Sequence, residues 1–505
     1  MKDKNYLYLL VYCILLYLLF LGGVPLLDPD EPVYGETAKE MLATGDWLSP
    51  RIYGEFWYDK PPLFYWLEAV SFSVFGTSTF TARLPSALIG MGTVLWLYKE
   101  AKALFPLKTA ALGALIFASS LETVVLARSA VTDMSLTAAL TVAMLGFLRK
   151  RYVLAYAACG VALLAKGPIG FGFPALIVAI WLMAQKKFTW KPIMGLRWYW
   201  GIPLACAVGF PWYLYMVSVH GAPFVDTFLG YHNLTRFAEP EHAGKDHWWL
   251  YFVVLAAGCY PWTGAAFGLW SRVKSWWKRP EELYLMVWVL FIFIFFSASS
   301  TQLFSYIFPL FPPLSLLAAR YLTEDSVQKS RVFGALHFFF GALVAAALAL
   351  APLLPEGGLP VKYGFPALLL LLTLNSTICW LKGYVFRFCC IQGAAALLLT
   401  FGVWTFYAPA VTEDFTSSYI SAKVQETDLD PTRTLYIDPF YRPNAAFYHD
   451  LYGKALPLPE KGNPPPEGPS YILVQKKVYE DWDEGERAAM KTVWETKTAL
   501  FLTAN

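Results

Sequence analysis

The sequence predicts an all-α polytopic membrane protein carrying a small α/β domain at its C-terminal end. Three observations predict it. The 505 residues are 57% hydrophobic and only 15% charged, against about 25% charged in an average soluble domain. Apolar runs of roughly 17–25 residues, the length that crosses a bilayer, recur through most of the chain. Lysine and arginine gather in every second loop between those runs, as they do in cytoplasmic loops.

The run at residues 6–27 follows Lys2 and Lys4 and has no small-x-small cleavage site before Asp28. It is expected to be a retained first span with the N-terminus cytoplasmic. Residues 28–60 then lie outside. Residues 61–78 are apolar but short and carry Glu68, which predicts a juxtamembrane or re-entrant helix rather than a crossing. Further spans are expected near 80–98, 108–126, 133–148, 152–165, 168–185, 199–219, 248–271, 283–298, 303–320, 332–354, 363–381 and 388–408. With the first, that makes about thirteen.

The loops test this order. Lys99, Lys102 and Lys108 form one basic loop, and Arg149, Lys150 and Arg151 the next. Lys186, Lys187, Lys191 and Arg197 follow, and the pattern repeats to Lys382 and Arg387. The alternate loops hold the unusual polar residues: 28–60, Glu122 with Arg128 and Asp133, Lys166, 220–247 and 299–302. All candidate chemistry therefore falls on the outer face.

Beyond the membrane module, residues 1–408, charge and proline appear and mark a soluble extracytoplasmic domain at 409–505. Residues 434–437, 471–474 and 499–503 read as strands, 461–469 as a loop, and 484–496 has helical periodicity. A net charge of +3 carries no polybasic signal, so no nucleic-acid partner is expected. The seven cysteines sit in apolar runs without a CxxC pattern and read as packing residues.

The stretch Asp-Pro-Asp-Glu at 28–31 organises the outer face. Carboxylates beside a span are costly to place and point to function. Alone, Asp30 and Glu31 are readable as general bases, as metal ligands or as caps of a short helix over 34–44. Downstream, Pro61 and Pro62 start a helix that would hold Lys60 at its N-terminus, a place for phosphate or simply for a headgroup-level lysine. Asp133 and Lys166 sit at outer span ends, where a lysine runs against the positive-inside trend. A phosphate partner would explain it, and so would an Asp133–Lys166 pair. The fourth outer loop, 220–247, holds four of the six histidines, among them His232 and His242, together with Arg236. Histidine with carboxylate suits a metal or a protonation site, though the spacing matches no zincin motif. Arg236 suits a phosphate clamp, and Tyr306 needs a partner for its hydroxyl.

In order along the chain, DEPVYGE at 30–36, YDKPPLFYW at 58–66, the Arg128 to Asp133 stretch, Ala165-Lys166-Gly167, Arg236-Phe237 with His242, and the 299–313 stretch form a pattern. It resembles the GT-C glycosyltransferases, specifically the aminoarabinose transferase and protein mannosyltransferase superfamily, over about residues 1–320. Val33, Asp59, Gln302 and Phe304 stand where that family tends to have Arg, Glu, Lys and Pro. The resemblance implies an inverting transfer of a sugar from a polyprenyl-phosphate donor to a cell-envelope lipid or glycan at the outer face of a bacterial inner membrane. A protein acceptor is the alternative within the family. A transporter of lipid-linked substrate, the rival class, would place its polar residues at span midpoints instead.

The implied roles follow residue by residue. Asp30 would be the general base, with Glu31 as the second catalytic carboxylate. Lys60, Lys166, Arg236 and Tyr306 would hold the donor phosphate. Tyr58, Asp133 and Arg128 would orient the donor and its sugar. Asp59 with His232 or His242 would hold a divalent metal such as Zn, Mg or Mn.

Overall fold

The computed structural model describes residues 3–228, 230, 249–457 and 468–504. The chain is mostly helical, with several apolar spans and a mixed sheet near its C-terminal end. Among the described residues six helices are long and apolar enough to cross a membrane, and a bent pair makes a seventh candidate. Five shorter apolar helices, of 10–17 residues, accompany them.

The first helix, α1 (Lys4–Tyr17), stops well short of the expected 6–27 run. Buried guanidiniums hold the unwound stretch that follows. Arg128 donates to the carbonyls of Leu16, Leu19 and Phe20, and Arg83 to those of Leu21, Val24 and Pro25. Cationic donors thus satisfy carbonyls that a longer helix would have paired internally. The chain then enters α2 (Asp30–Thr44), whose N-cap is Pro29. Asp30 and Glu31 sit in its first turn and neither caps it, where negative charge complements the helix dipole.

A two-residue hairpin, β1 (Arg51–Ile52) with β2 (Glu55–Phe56), leads to α3 (Leu63–Phe75). At 13 residues, α3 is about 20 Å long, too short for a hydrocarbon core of about 30 Å. The short apolar helix expected over 61–78 is therefore present at Leu63–Phe75. The helices α4 (Thr79–Ala101), α7 (Asp133–Leu148), α8 (Tyr152–Lys166) and α9 (Ile169–Ala184) follow the apolar runs closely. The 108–126 run instead breaks into α5 (Leu107–Ser119) and α6 (Leu121–Ala127), bent by 60°. At the break Leu121 N–H donates to the Tyr260 carbonyl, and the Trp262 indole donates to Ser119 Oγ. A short helix α10 (Trp190–Gly195) precedes the span α11 (Trp198–His220).

The expected 248–271 and 303–320 spans are likewise interrupted, the first into Leu250–Gly258 and Thr263–Gly268, the second into a 3₁₀ turn and Phe311–Leu322. Three long helices, Arg331–Leu350, Gly358–Leu381 and Val385–Gly402, complete the bundle.

The C-terminal sheet has strand order β4-β3-β5-β7-β6, from β3 (Thr434–Ile437), β4 (Lys454–Ala455), β5 (Ser470–Gln475), β6 (Met490–Glu495) and β7 (Ala499–Ala504). β3 runs parallel to β4 and β5, while β7 is antiparallel to β5 and β6. The expected helix over 484–496 is a correction: only Glu484–Ala488 is helical. Residues 490–495 pair with β7 instead, where hydrogen bonds to a neighbouring strand override a weak local period. Successive side chains alternate between faces, so Leu473 and Phe501 pack under the helix Ser417–Gln425 while Ile472 and Leu502 fill the other side.

This domain sits on α2. Asp28 accepts hydrogen bonds from Ser417 N–H at 2.6 Å, from Ser417 Oγ at 2.9 Å and from Asn444 Nδ2 at 2.5 Å. Lys39 Nζ reaches the carbonyls of Ala446 and Phe447 and the carboxylate of Asp450. Gly35 lets the Phe447 ring lie against α2: a Cβ there would meet Phe447 Cε2 at 2.8 Å.

Candidate active site

The helix ends deliver one cluster of charge. α2 begins at Asp30, α7 at Asp133, and α8 ends at Lys166, while Lys60 lies just before α3. Lys166 Nζ lies 2.5 Å from Asp133 Oδ1, and Thr132 Oγ1 donates to the Ala165 carbonyl, so the α7 and α8 ends are tied together. The Lys166 ammonium stands 5.0 Å from the centroid of the Tyr306 ring, which itself packs on Phe296. Lys60 Nζ lies 2.7 Å from Asp59 Oδ1.

Asp30 is the carboxylate left open. It makes no hydrogen bond or ion pair with a described residue, and it is exposed. Its carboxyl is pushed above the usual aspartate range, first by the protein crowded around it. Asp133 and Asp59 add to the rise, while Lys60 and Lys166 oppose it. The same balance shows that all four charged groups lie within electrostatic reach of Asp30. An unengaged carboxylate beside two ammonium groups can take a proton from an acceptor while the cations hold an anionic leaving group.

Glu31 is placed differently from its expected role as a second catalytic carboxylate. Its side chain is buried and forms a two-pronged pair with Arg83, at 2.9 Å through Nε and 2.6 Å through Nη2. It also accepts from Leu27 N–H and Ala130 N–H, both at 2.7 Å. With both oxygens engaged, Glu31 fixes the backbone on which Asp30 stands. Arg128, expected to orient the sugar, is also displaced from that role. It is buried under Trp404, 4.6 Å from the ring centroid, and closes the end of α1.

Tyr58 stands in an aromatic patch, 5.4 Å from the His220 ring and 5.7 Å from Phe224. His220 Nε2 pairs with Ser49 Oγ at 2.8 Å, and the Trp212 indole donates to the Leu48 carbonyl. The segment that carries Leu48 and Ser49 is thereby fastened to the C-terminal half of α11. From Phe224 an apolar groove of about 580 Å³ runs between α8, α9 and α11, lined by Phe171, Ile202, Phe210, Leu214 and Val217. Pro168, two residues after Lys166, also borders it.

Arg236, His232 and His242 lie outside the described residues. Among the described residues, no three His, Cys, Asp or Glu side chains converge as a metal site, and Asp59 faces Lys60.

The sequence pattern assigns no role to Asp28 and does not single out Arg83. An arginine near the start of the 80–98 apolar run is the signal that could have found Arg83, because such a charge needs a buried partner. Nothing local marks Asp28, whose partners lie about 400 residues away (|i−j| of 389 and 416).

Residues 5–220 match the family model described as dolichyl-phosphate-mannose-protein mannosyltransferase. An undecaprenyl phosphate-alpha-4-amino-4-deoxy-L-arabinose arabinosyl transferase from Enterobacter sp. (strain 638) is 34% identical over 375 residues, 71% of this chain and 66% of that protein. Its counterpart from Aeromonas salmonicida (strain A449) is 31% identical over 369 residues, 68% of this chain and 66% of the relative. The matched stretch thus spans 66% of the length of either relative. Among solved structures, ArnT from Cupriavidus metallidurans bound to undecaprenyl phosphate aligns with a TM-score of 0.78 at 21% identity, covering 99% of this chain and 98% of that one. An Archaeoglobus fulgidus oligosaccharyltransferase aligns at 0.55 and 14% identity, covering 94% and 69%. Both likenesses concern the fold.

Proposed function

The chain belongs to the GT-C glycosyltransferase family of aminoarabinose transferases and protein mannosyltransferases, and from that premise we propose that it transfers a sugar from an undecaprenyl-phosphate donor to lipid A. Aminoarabinose is the sugar that the relatives' names support. The observation that carries the reading is Asp30: an unengaged carboxylate on a backbone pinned by Glu31, set among Lys60, Lys166 and Asp133.

In this reading Asp30 accepts the proton of the acceptor's attacking oxygen. That oxygen bonds to the anomeric carbon from the face opposite the phosphate. The carbon–oxygen bond to the phosphate breaks, its electron pair leaves with the phosphate, and the configuration inverts. Lys60 and Lys166 stabilise the charge that develops there, with Tyr306 and Arg236 as further phosphate partners. Asp133 holds Lys166 in place, and Tyr58 borders the sugar. The apolar groove ending at Phe224 suits the prenyl chain of the donor. A divalent metal on Asp59 with His232 or His242 remains part of the proposal for the fourth outer loop.

The reading also carries the topology. The helices represent about thirteen crossings, the N-terminus is cytoplasmic, and the site and the 409–505 domain face outward in a bacterial inner membrane. The test is mass spectrometry of lipid A from cells lacking the protein and complemented with wild type or Asp30→Asn. Wild type should restore a pentosamine-sized addition and Asp30→Asn should not. An addition restored equally by both would sink the reading.

A further inference from the structure

A second cavity lies at the other end of the bundle from Asp30. Its volume is about 1040 Å³, and it opens between the ends of α7, α8, α9 and α11 remote from the charged cluster, beside α10. Its wall is apolar and aromatic, with Phe147, Leu154, Trp181 and Trp200. Its rim carries four cations, Lys150, Arg151, Lys187 and Arg197, and no carboxylate lines it.

The cations are largely unneutralised. Arg151 pairs with buried Glu100 at 2.6 Å. Lys187 Nζ donates to the neutral Gln185 side chain at 2.9 Å. Lys150 and Arg197 have no acidic partner among the described residues. Both also hold a left-handed backbone, with φ of 56° and 57°, a conformation that favours glycine over any side chain by roughly 1 kcal/mol. Cationic side chains stand where the fold alone would favour glycine, and both border the same cavity.

The depth of the cavity is marked independently. Trp190, at the start of α10, and Phe188, Trp198 and Tyr199 on either side of it are all exposed. Exposed tryptophan and tyrosine beside apolar spans mark the headgroup level of a bilayer. A cavity with an apolar wall, a cationic rim and an aromatic belt at headgroup depth complements a molecule with a phosphate head and acyl chains.

We propose that this cavity binds the headgroup of an anionic glycerophospholipid, with the phosphate on Lys150, Lys187 and Arg197. The leaflet, cytoplasmic, follows from the proposed topology. The lipid binding itself does not depend on the transferase reading.

Native mass spectrometry of the full chain in detergent, titrated with phosphatidylglycerol or phosphatidylcholine, tests it. Wild type should retain phosphatidylglycerol preferentially. Lys150→Gly with Arg197→Gly removes both charges and relaxes both backbones, so it should fold with undiminished thermal stability. Its affinity for phosphatidylglycerol should fall about 30-fold, taking about 5-fold per cation. Lys150→Arg should bind as wild type. Lys99→Gln with Lys108→Gln, exposed cations at the same end but off the cavity, should change little. Equal binding by the glycine variant overturns the proposal, as does an equal loss in the Lys99 and Lys108 control, which would mean bulk surface charge. Displacement of the lipid by millimolar inorganic phosphate would make it a small-anion site, and preference for undecaprenyl phosphate a carrier site. Either result overturns it too.

Discussion

Asp30 and Glu31 are adjacent in the chain and opposite in circumstance. One carboxylate is open and flanked by cations; the other is consumed by Arg83 and two backbone N–H groups. Their variants should therefore fail differently. Asp30→Asn should fold normally and lose about 100- to 10,000-fold in turnover, the usual range for a general base. Glu31→Ala leaves a buried guanidinium unpaired and should lower stability by about 3–5 kcal/mol, read as a lower thermal midpoint and lower yield. Equal thermal midpoints for the two variants would contradict this division.

Glu36 gives a second residue-scale expectation. It is buried on α2 facing the C-terminal domain, and burial raises its carboxyl from the ordinary 4.5 to about 7, with Lys39 opposing and Glu40 adding. A raised pKa means that the folded state holds the proton more tightly. The associated stability is fully present below about pH 4.5 and is lost as pH rises through about 7. The stability of wild type should fall between pH 5 and 8 relative to Glu36→Gln, by on the order of 3 kcal/mol across the full shift, and thermal melts of the two proteins across that range would read it. Parallel pH profiles for the two proteins would refute this.

At the scale of elements, α2 carries the design. Its first turn presents Asp30, its buried face holds Glu31 and Glu36, and its Gly35 and Lys39 receive the helix Arg442–His449. Gly35→Ala would drive a methyl group into the Phe447 ring, which must shift. We expect a loss of about 1–3 kcal/mol, as for other overpacked positions, and faster cleavage of the C-terminal domain by limited proteolysis. Unchanged cleavage would show that the domain is held without this contact. The interruptions of the spans belong to the same scale. The first run unwinds after Tyr17 because Arg83 and Arg128 supply donors for six of its carbonyls. In hydrocarbon such unpaired carbonyls would each cost several kcal/mol.

Across the whole molecule the charges divide between two ends. The Asp30 cluster and the C-terminal domain occupy one end, and the Lys150–Arg197 cavity the other. Single cysteines at Gly54 and Lys108, in a background without the seven native cysteines, should therefore react with an impermeant thiol reagent from opposite sides of the membrane. Gly54 should label in intact spheroplasts and Lys108 only after lysis. Labelling of both from one side would overturn the orientation.

The sequence by itself determined the helical membrane class, the placement of α7, α8 and α9, the short α3, and three strands of the C-terminal sheet. Each is written in a local property: run length, period, or the spacing of basic loops. The resemblance of the outer-loop motifs then pointed to the family to which the chain belongs. Only the tertiary structure decided which acid stays open and which is spent. Asp30 and Glu31 have the same local context, and what separates them is Arg83, 52 positions on, and the Ala130 amide, 99 positions on. The same holds for Arg128, which closes α1 across more than 100 positions, and for Asp28, whose partners stand in the last quarter of the chain. A carboxylate's chemistry depends on what surrounds it in space, and a membrane fold brings helix ends together that no local pattern relates.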